Sequence, residues 1–324
     1  MKEILLETQH LKKYFQTRKG LLHAVDDVSL QFVKGETVGI VGESGCGKST
    51  LGRTILKLLS PTDGQILYRG EDIAGYGKRQ TKAMRRRMQM IFQDPYASLD
   101  PRMTVSEIIA EPIYINKTIT DRHEIQKKVK TLMDTVGLDA RLTNAYPHEL
   151  DGGRRQRIGI AKALSVDPEF IVCDEPVSAL DVSIQAQILN LMLDLQEEFG
   201  LTYMFVTHDL SVVKMISNEI AVMYLGKCVE RAPSQELFQH PKHPYTKALL
   251  SAIPIPDLRF RGKKRELLKG EVASPINPAP GCRFAPRCPY CTAECREEGL
   301  EMEQAGPQHM VACRRWSELE GSHG

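Results

Sequence analysis

The chain has 324 residues, with 43 Lys and Arg against 41 Asp and Glu, a net charge of +2 and a hydrophobic share of 42%. This composition excludes wholesale disorder, and the small basic excess argues against a dedicated nucleic-acid binder, so no nucleic-acid partner is expected. The length suits two structural units, no stretch approaches the ~18 consecutive apolar residues of a membrane span, and the N-terminal run lacks the apolar core of a secretory signal. The cytosol is therefore the expected compartment.

In chain order, residues 4–8 and 25–33 alternate apolar and polar, as half-buried strands do. Thr37–Val41 reads as a buried strand, followed by a glycine-rich turn and a helix over Lys48–Leu59 with Leu51, Ile55, Leu58 and Leu59 at helical spacing. Pro61–Gly64 reads as a turn and Met88–Phe92 as a short strand. Residues 104–165 are predicted to be largely helical, with an amphipathic stretch over Arg122–Val136. Phe170–Cys173 is a second buried strand, Ile184–Phe199 an amphipathic helix, and Thr202–Thr207 and Glu219–Tyr224 are further strands. Strands alternating with helices predict an α/β fold with a mostly parallel sheet. Near residue 252 the composition shifts. Residues 252–324 hold eight of the eighteen prolines, and five of the eight cysteines fall at or beyond Cys282, so this segment is expected to form no regular helix or sheet and to hold its shape by other means.

Gly42-Glu43-Ser44-Gly45-Cys46-Gly47-Lys48-Ser49 fits G-x-x-x-x-G-K-[ST] and lies between a predicted strand and a predicted helix, the context that gives the pattern its meaning. Glycines let successive N–H groups turn toward one anion, and the following helix adds its positive end. Gly42, Ser44, Gly45, Cys46, Gly47, Lys48, Ser49 and Thr50 are thus the expected phosphate cradle, with Lys48 on the β- and γ-phosphates and Ser49 on Mg²⁺. Asp174 closes the strand over Phe170–Cys173 and Glu175 follows it. The first carboxylate can reach Mg²⁺ through water, and the second can orient or deprotonate an attacking water.

With these motifs in place, the chain resembles the ATP-binding subunits of ABC transporters along nearly its whole length. The resemblance implies a P-loop NTPase core with a helical signature subdomain over about residues 94–165, and it divides the chain into an ATP-binding domain, 1–251, and a small Cys- and Pro-rich C-terminal domain, 252–324. Gln93 in IFQDPYASLDP looks like the Q-loop glutamine, which contacts Mg²⁺ and the attacking water. Asp151-Gly152-Gly153 sits where the signature motif belongs, Asp181 lies in a D-loop-like SALD, and His208 in VTHDL looks like the switch histidine at the γ-phosphate. Tyr14-Phe15 lies where an aromatic ring stacks on adenine, and spacing favours Phe15. Glu175, His208 and Gln93 are then the catalytic set, and Ser49, Gln93 and Asp174 hold Mg²⁺. The family pairs two cassettes head to tail, each completing the other's site.

The signature departs from the family's L-S-G-G-Q, with Asp151 for the serine and Arg154 for the glutamine. Both serine and aspartate cap helices well. An ionised Asp151 cannot donate to a γ-phosphate and brings negative charge toward it, an effect that Arg154 offsets in part. Two readings stay open: the site completed by this signature is weakened, or the variant is a working subclass.

The segments MRRRMQMIFQDPYASLDPRMTV, CDEPVSALDVSIQAQILNLM, HPYTKALLSAIP and GEVASPINPAPGCRFAPRCPYCTAEC resemble the oligopeptide/dipeptide/nickel importer branch. That branch implies ATP-driven uptake of peptides or, alternatively, of nickel or a metal chelate. Its implied partners are a second ATP-binding subunit, in all expectation a paralogue, two membrane permeases and an extracytoplasmic binding protein, with this chain on the cytoplasmic face of the membrane. Four tail cysteines, Cys282, Cys288, Cys295 and Cys313, suit a [4Fe–4S] cluster or a structural Zn²⁺, and the branch resemblance favours the cluster. Cys291 is a possible fifth thiol, and a zinc site could also draw on His309.

Other readings fit less of the chain. A DNA-repair ABC ATPase needs a long coiled coil, yet no sustained heptads separate Lys48 from Asp174, and translation-type ABC proteins carry two cassettes where this chain has one. A small-molecule P-loop kinase would lack the glycine pair and the D-loop. Cys173 reads as a small core hydrophobe, and Arg85-Arg86-Arg87 as a solvated face. Cys46, at a helix N-terminus, is expected to have a lowered pKa and to be open to alkylation.

Overall fold

The computed structural model describes residues 3–252, 270 and 273–320. Its strands and helices, in chain order, are β1 (Ile4–Thr17), β2 (Gly20–Val33), β3 (Thr37–Val41), α1 (Lys48–Ile55), β4 (Asp63–Tyr68), β5 (Glu71–Asp72), α2 (Lys78–Arg87), β6 (Met88–Ile91), α3 (Pro95–Ser98), α4 (Val105–Asn116), α5 (Arg122–Thr135), α6 (Gly152–Leu164), β7 (Phe170–Asp174), α7 (Val182–Phe199), β8 (Thr202–Thr207), α8 (Leu210–Ile216), β9 (Glu219–Tyr224), β10 (Lys227–Pro233), α9 (Ser234–Gln239), α10 (Pro244–Ser251), β11 (Glu303–Gly306), β12 (His309–Val311) and α11 (Trp316–Glu320). They fall into two compact units, one over residues 6–31, 37–74 and 207–324 and the other over 1–5, 32–36 and 75–206.

The first, the phosphate-loop unit, contains strands in the order β11-β12-β10-β9-β3. β3 and β9 are parallel, while β9–β10, β10–β12 and β11–β12 are antiparallel. A separate sheet runs β2-β1-β4-β5, with antiparallel β1–β4 and β4–β5 ladders. Past Thr37 and Glu219 at its start, the parallel pair is apolar because both of its faces are covered. Val41, Val222, Tyr224, Tyr245 and Phe284 form the centre of its core.

Two expectations are corrected in this unit. The turn at Pro61–Gly64 gives way to β4 from Asp63, because Gly64, at φ +84°, lets the backbone pass His10, whose carbonyl would sit 2.3 Å from any Cβ there. The tail is also not devoid of regular structure: β12 pairs Val311 with Glu230 and Met310 with Arg231 on β10. Pro307 does not interrupt this hairpin because it falls in the turn between β11 and β12, where its missing N–H costs no ladder bond.

The second, the helical unit, holds the parallel run β8-β7-β6, with Ile91 opposite Cys173 and Asp174 opposite Val206. Every residue of β7 is buried. Helices α3–α6 occupy the interval between β6 and β7. Their starts are specified locally: Thr104 and Glu107 form a reciprocal capping box on α4, Asp121 caps α5 and Asp151 caps α6. Among the described residues no helix is long and apolar enough to cross a membrane.

Candidate active site

In the phosphate-loop unit, the loop leaves β3 through three glycines with positive φ, Gly42 at +153°, Gly45 at +78° and Gly47 at +104°. A Cβ on Gly42 would lie 2.2 Å from the Met223 carbonyl oxygen, and one on Gly47 1.9 Å from that of Ala24. These two positions therefore admit only glycine, on conformational and steric grounds together. Gly47 is the N-cap of α1, so the helix begins with N–H groups turned to the loop. Lys48 is 5% exposed, and its Nζ donates to the Gly42 carbonyl at 2.7 Å and the Glu43 carbonyl at 3.1 Å. Ser44 and Gly45 are exposed, and Ser49 and Thr50 are half-buried in the first turn of α1.

Cys46 departs from expectation. It is 3% exposed, and burial pushes its thiol above the ordinary value against the opposing pull of Lys48. Its side chain points inward from the loop, so the helix N-terminus does not make it a reactive thiolate.

Tyr14 stacks on His23, with ring centroids 4.0 Å apart, and its hydroxyl donates to Asp26. Asp26 also receives Arg283. Burial alone would raise Asp26, but Tyr14 and Arg283 outweigh it and hold the carboxyl below its usual value. Tyr14 is thus committed to this network. Phe15, the next strand residue, projects to the other face and is half-buried, with Lys13 Nζ 4.8 Å from its ring centre. His208 follows β8 and is exposed.

In the same unit, Cys282, Cys288, Cys295 and Cys313 line one small cavity with Phe284 and His243. Burial raises Cys282 to about 12 and Cys288 to about 11, and also raises Cys313. Cys295 also feels burial, but hydrogen bonds from Thr292 outweigh it and lower its pKa. Cys291 is not part of this lining and donates to the Thr292 carbonyl at 3.4 Å. His309 does not join Cys313: its Nε2 is 2.7 Å from Glu230 Oε1, with both side chains fully buried. Among the described residues, no group of three or more His, Cys, Asp or Glu is placed to hold a metal ion.

In the helical unit, Asp174 ends β7 and is 1% exposed. Glu175 follows in the left-handed region at φ +47°, with its N–H bonded to the Val206 carbonyl at 2.9 Å. Gln93 lies two residues beyond the end of β6, and the β6–β7 register brings its Nε2 to 3.0 Å from Glu175 Oε2. Asp151 caps α6 by accepting from the Arg154 N–H at 2.8 Å, and its other oxygen lies 3.2 Å from Arg154 Nη1. Both side chains of this pair are more than half exposed, so the pair is screened and contributes little to stability. Gly152 and Gly153 have a packing reason, because a Cβ on them would press on Leu180 at 3.1 Å and Ile184 at 2.8 Å. Asp181 occupies the N-cap of α7 without a side-chain cap bond.

Sequence reasoning did not find Tyr245, Arg283 or Arg287. Tyr245 Oη accepts from the Glu43 N–H at 2.9 Å, and Arg287 Nη1 donates to Glu43 Oε2 at 2.8 Å. No local pattern marks partners so distant along the chain.

Residues 25–178 match the family model "ABC transporter" and residues 229–295 match "Oligopeptide/dipeptide transporter, C-terminal region". The chain is 52% identical to the oligopeptide transport ATP-binding protein AppF of Bacillus subtilis, over 97% of this chain and 98% of that one. This chain belongs to the ATP-binding proteins of the oligopeptide ABC transporter family. The cassette is likewise 49% identical to the oligopeptide transport ATP-binding protein OppF of Salmonella typhimurium over 96% of each chain. A solved dimeric ATP-binding cassette in a post-hydrolysis state, bound to ADP and phosphate, aligns with a TM-score of 0.65 at 28% identity, covering 71% of this chain and 98% of that one. The cbiO1 cassette of a Clostridium perfringens ABC transporter complex aligns with a TM-score of 0.66 at 26% identity, over 74% and 92%. The cassette is an ABC ATPase.

Proposed function

We propose that this cassette hydrolyses ATP to power uptake of oligopeptides or dipeptides. It would act from the cytoplasmic face of the membrane as one of two ATP-binding subunits, with two permeases and an extracytoplasmic binding protein. One observation carries the cargo: similarity to peptide-transport ATP-binding proteins runs through the whole chain, tail included. It favours peptides over the nickel alternative.

The chemistry follows from the residues. The loop N–H groups and Lys48 take the β- and γ-phosphates, Ser49 and Asp174 would hold Mg²⁺ with Gln93, and Phe15 stacks on adenine. Mg²⁺, when bound, neutralises charge on the phosphates. Glu175 is the general base for the attacking water. Gln93, by donating to one carboxylate oxygen, orients the Glu175 carboxylate toward that water. His208 contacts the γ-phosphate. The N-terminus of α6, with Asp151, Gly152 and Gly153, serves the loop of the second subunit, so hydrolysis waits on dimer closure.

The tail thiols Cys282, Cys288, Cys295 and Cys313 suit a [4Fe–4S] cluster. They share one cavity, and a set of four cysteine thiolates is what such a cluster would take.

The test uses the full complex. Peptide-loaded binding protein should raise ATPase activity, and Glu175→Gln should lose hydrolysis by about a hundredfold or more while retaining ATP. Steady hydrolysis in that variant would remove Glu175 from its role. Anaerobic protein should carry iron and sulfide and absorb in the visible, losing both on Cys→Ser change at any of the four positions but not at Cys291. Colourless, zinc-loaded protein would refute the cluster.

A further inference from the structure

Arg287 precedes Cys288 in the tail, yet its guanidinium serves the phosphate loop. The side chain is 7% exposed, its Nη1 lies 2.8 Å from Glu43 Oε2, and the same nitrogen is 3.5 Å from Tyr224 Oη. The Glu43 backbone is held as well, because its N–H donates to Tyr245 Oη and its carbonyl accepts from Lys48 Nζ. The two tyrosine rings pack edge-on at 4.7 Å, and Phe284 from the tail packs against them at 5.3 and 5.4 Å. Glu43 is therefore an acidic residue fixed inside a loop whose N–H groups gather around anions. Left unpaired, its carboxylate would repel the phosphates that the loop is built to receive.

We propose that Arg287 is a positioning residue for ATP: it neutralises and holds Glu43, so the cysteine-bearing tail sets the nucleotide affinity of the phosphate loop. This rests on residues 42–49 being the phosphate cradle. The charge argument separates the role from mere packing, because it gives the two partners opposite signs. Removing Arg287 exposes a negative charge to ATP. Removing the charge of Glu43 leaves a cation nearby and should not weaken ATP.

The test is equilibrium ATP binding to the full chain at low and high salt, with thermal melts of each variant. Arg287→Ala should weaken ATP by about tenfold at low salt and less at high salt. Glu43→Gln should bind ATP at least as tightly as the parent, and adding Glu43→Gln to Arg287→Ala should restore most of the loss. Arg287→Lys should stay within about threefold of the parent, since it keeps the charge. In the transport complex the KM for ATP should follow these affinities while kcat stays near the parent value. Unchanged binding in Arg287→Ala, or no rescue in the double variant, would overturn the proposal. If Arg287→Ala fails to fold, Glu43→Gln and Arg287→Lys still decide, because weaker binding in Glu43→Gln contradicts the charge argument outright. Lys48→Ala tests the underlying assignment separately: parent-like ATP binding there would sink the phosphate cradle itself rather than the role of Arg287.

Discussion

Glu175 and Gly47 both adopt positive φ, but at different cost. Gly47 has no Cβ to strain, whereas Glu175 at +47° holds a left-handed conformation that is unfavourable for a side chain with a Cβ. The conformation persists because the Glu175 N–H is tied to Val206, and its carbonyl accepts from the Ser178 N–H at 3.3 Å and Oγ at 3.1 Å. The turn brings the carboxylate to Gln93, so the strained residue is the one proposed as general base. Glu175→Gly and Glu175→Ala both remove the carboxylate, and their difference isolates the backbone term. The glycine variant should be the more stable of the two by about 1 kcal/mol in urea unfolding, with hydrolysis lost in both. Equal stability would mean that no strain is stored there. The residues proposed for the chemistry stood out in the sequence because each sits in a contiguous motif beside an apolar strand. The strain at Glu175 was not, because it is set by a turn whose bonds no residue type announces.

At the scale of elements, uniform apolar runs made β3, β7, β8 and β9 readable, since strands covered on both faces need no alternation. Helix α2 was invisible because Met84 is its one buried residue, so no apolar stripe recurs. β10 was hidden by Glu230, which reads as a surface residue yet is fully buried. Its carboxylate accepts from the Lys242 N–H at 2.6 Å, the His243 N–H at 3.0 Å and His309. His243 itself caps α10, its Nδ1 accepting from the Tyr245 N–H at 3.0 Å, a role that needs the neutral ring. Burial lowers its pKa from 6.5 to about 4, against the opposing pull of Glu230. The unfolded chain takes up a proton as pH falls through 6.5, while the folded chain refuses it until about 4. The folded state is therefore fully favoured above that window and loses stability as pH falls across it. His243→Asn keeps a cap without a titrating ring, so urea unfolding from pH 7.5 to 4.5 should show a shallower acid loss than the parent. An identical pH slope would mean that His243 is not the group responsible.

For the molecule as a whole, the composition shift near residue 252 suggested a tail with its own means of support, and residues 253–269, just past that junction, lie outside the described residues. Beyond the junction, the tail packs into the unit that carries the phosphate loop. Phe284 is 1% exposed within the core around Tyr224 and Tyr245, β12 extends the sheet beyond β10, and His309 covers the buried Glu230. The partners that make this connection are 257 positions apart for Arg283 and Asp26 and 244 for Arg287 and Glu43, which is why no reading of local pattern could join them. An independent tail could be removed at little cost, whereas an integrated one cannot. Phe284→Ala should cost about 3–5 kcal/mol, the range for deleting a buried aromatic ring. Truncation after Ser251 should cost more, because it also strips His309 from Glu230 and Arg287 from Glu43. The truncated chain should melt well below the parent and lose measurable ATP binding, while Phe284→Ala should melt lower yet still bind ATP where it remains folded. A truncated chain that melts cooperatively at the parent temperature and binds ATP with parent affinity would make the tail an appendage, and the coupling from the cysteine segment to the phosphate loop would fall with it.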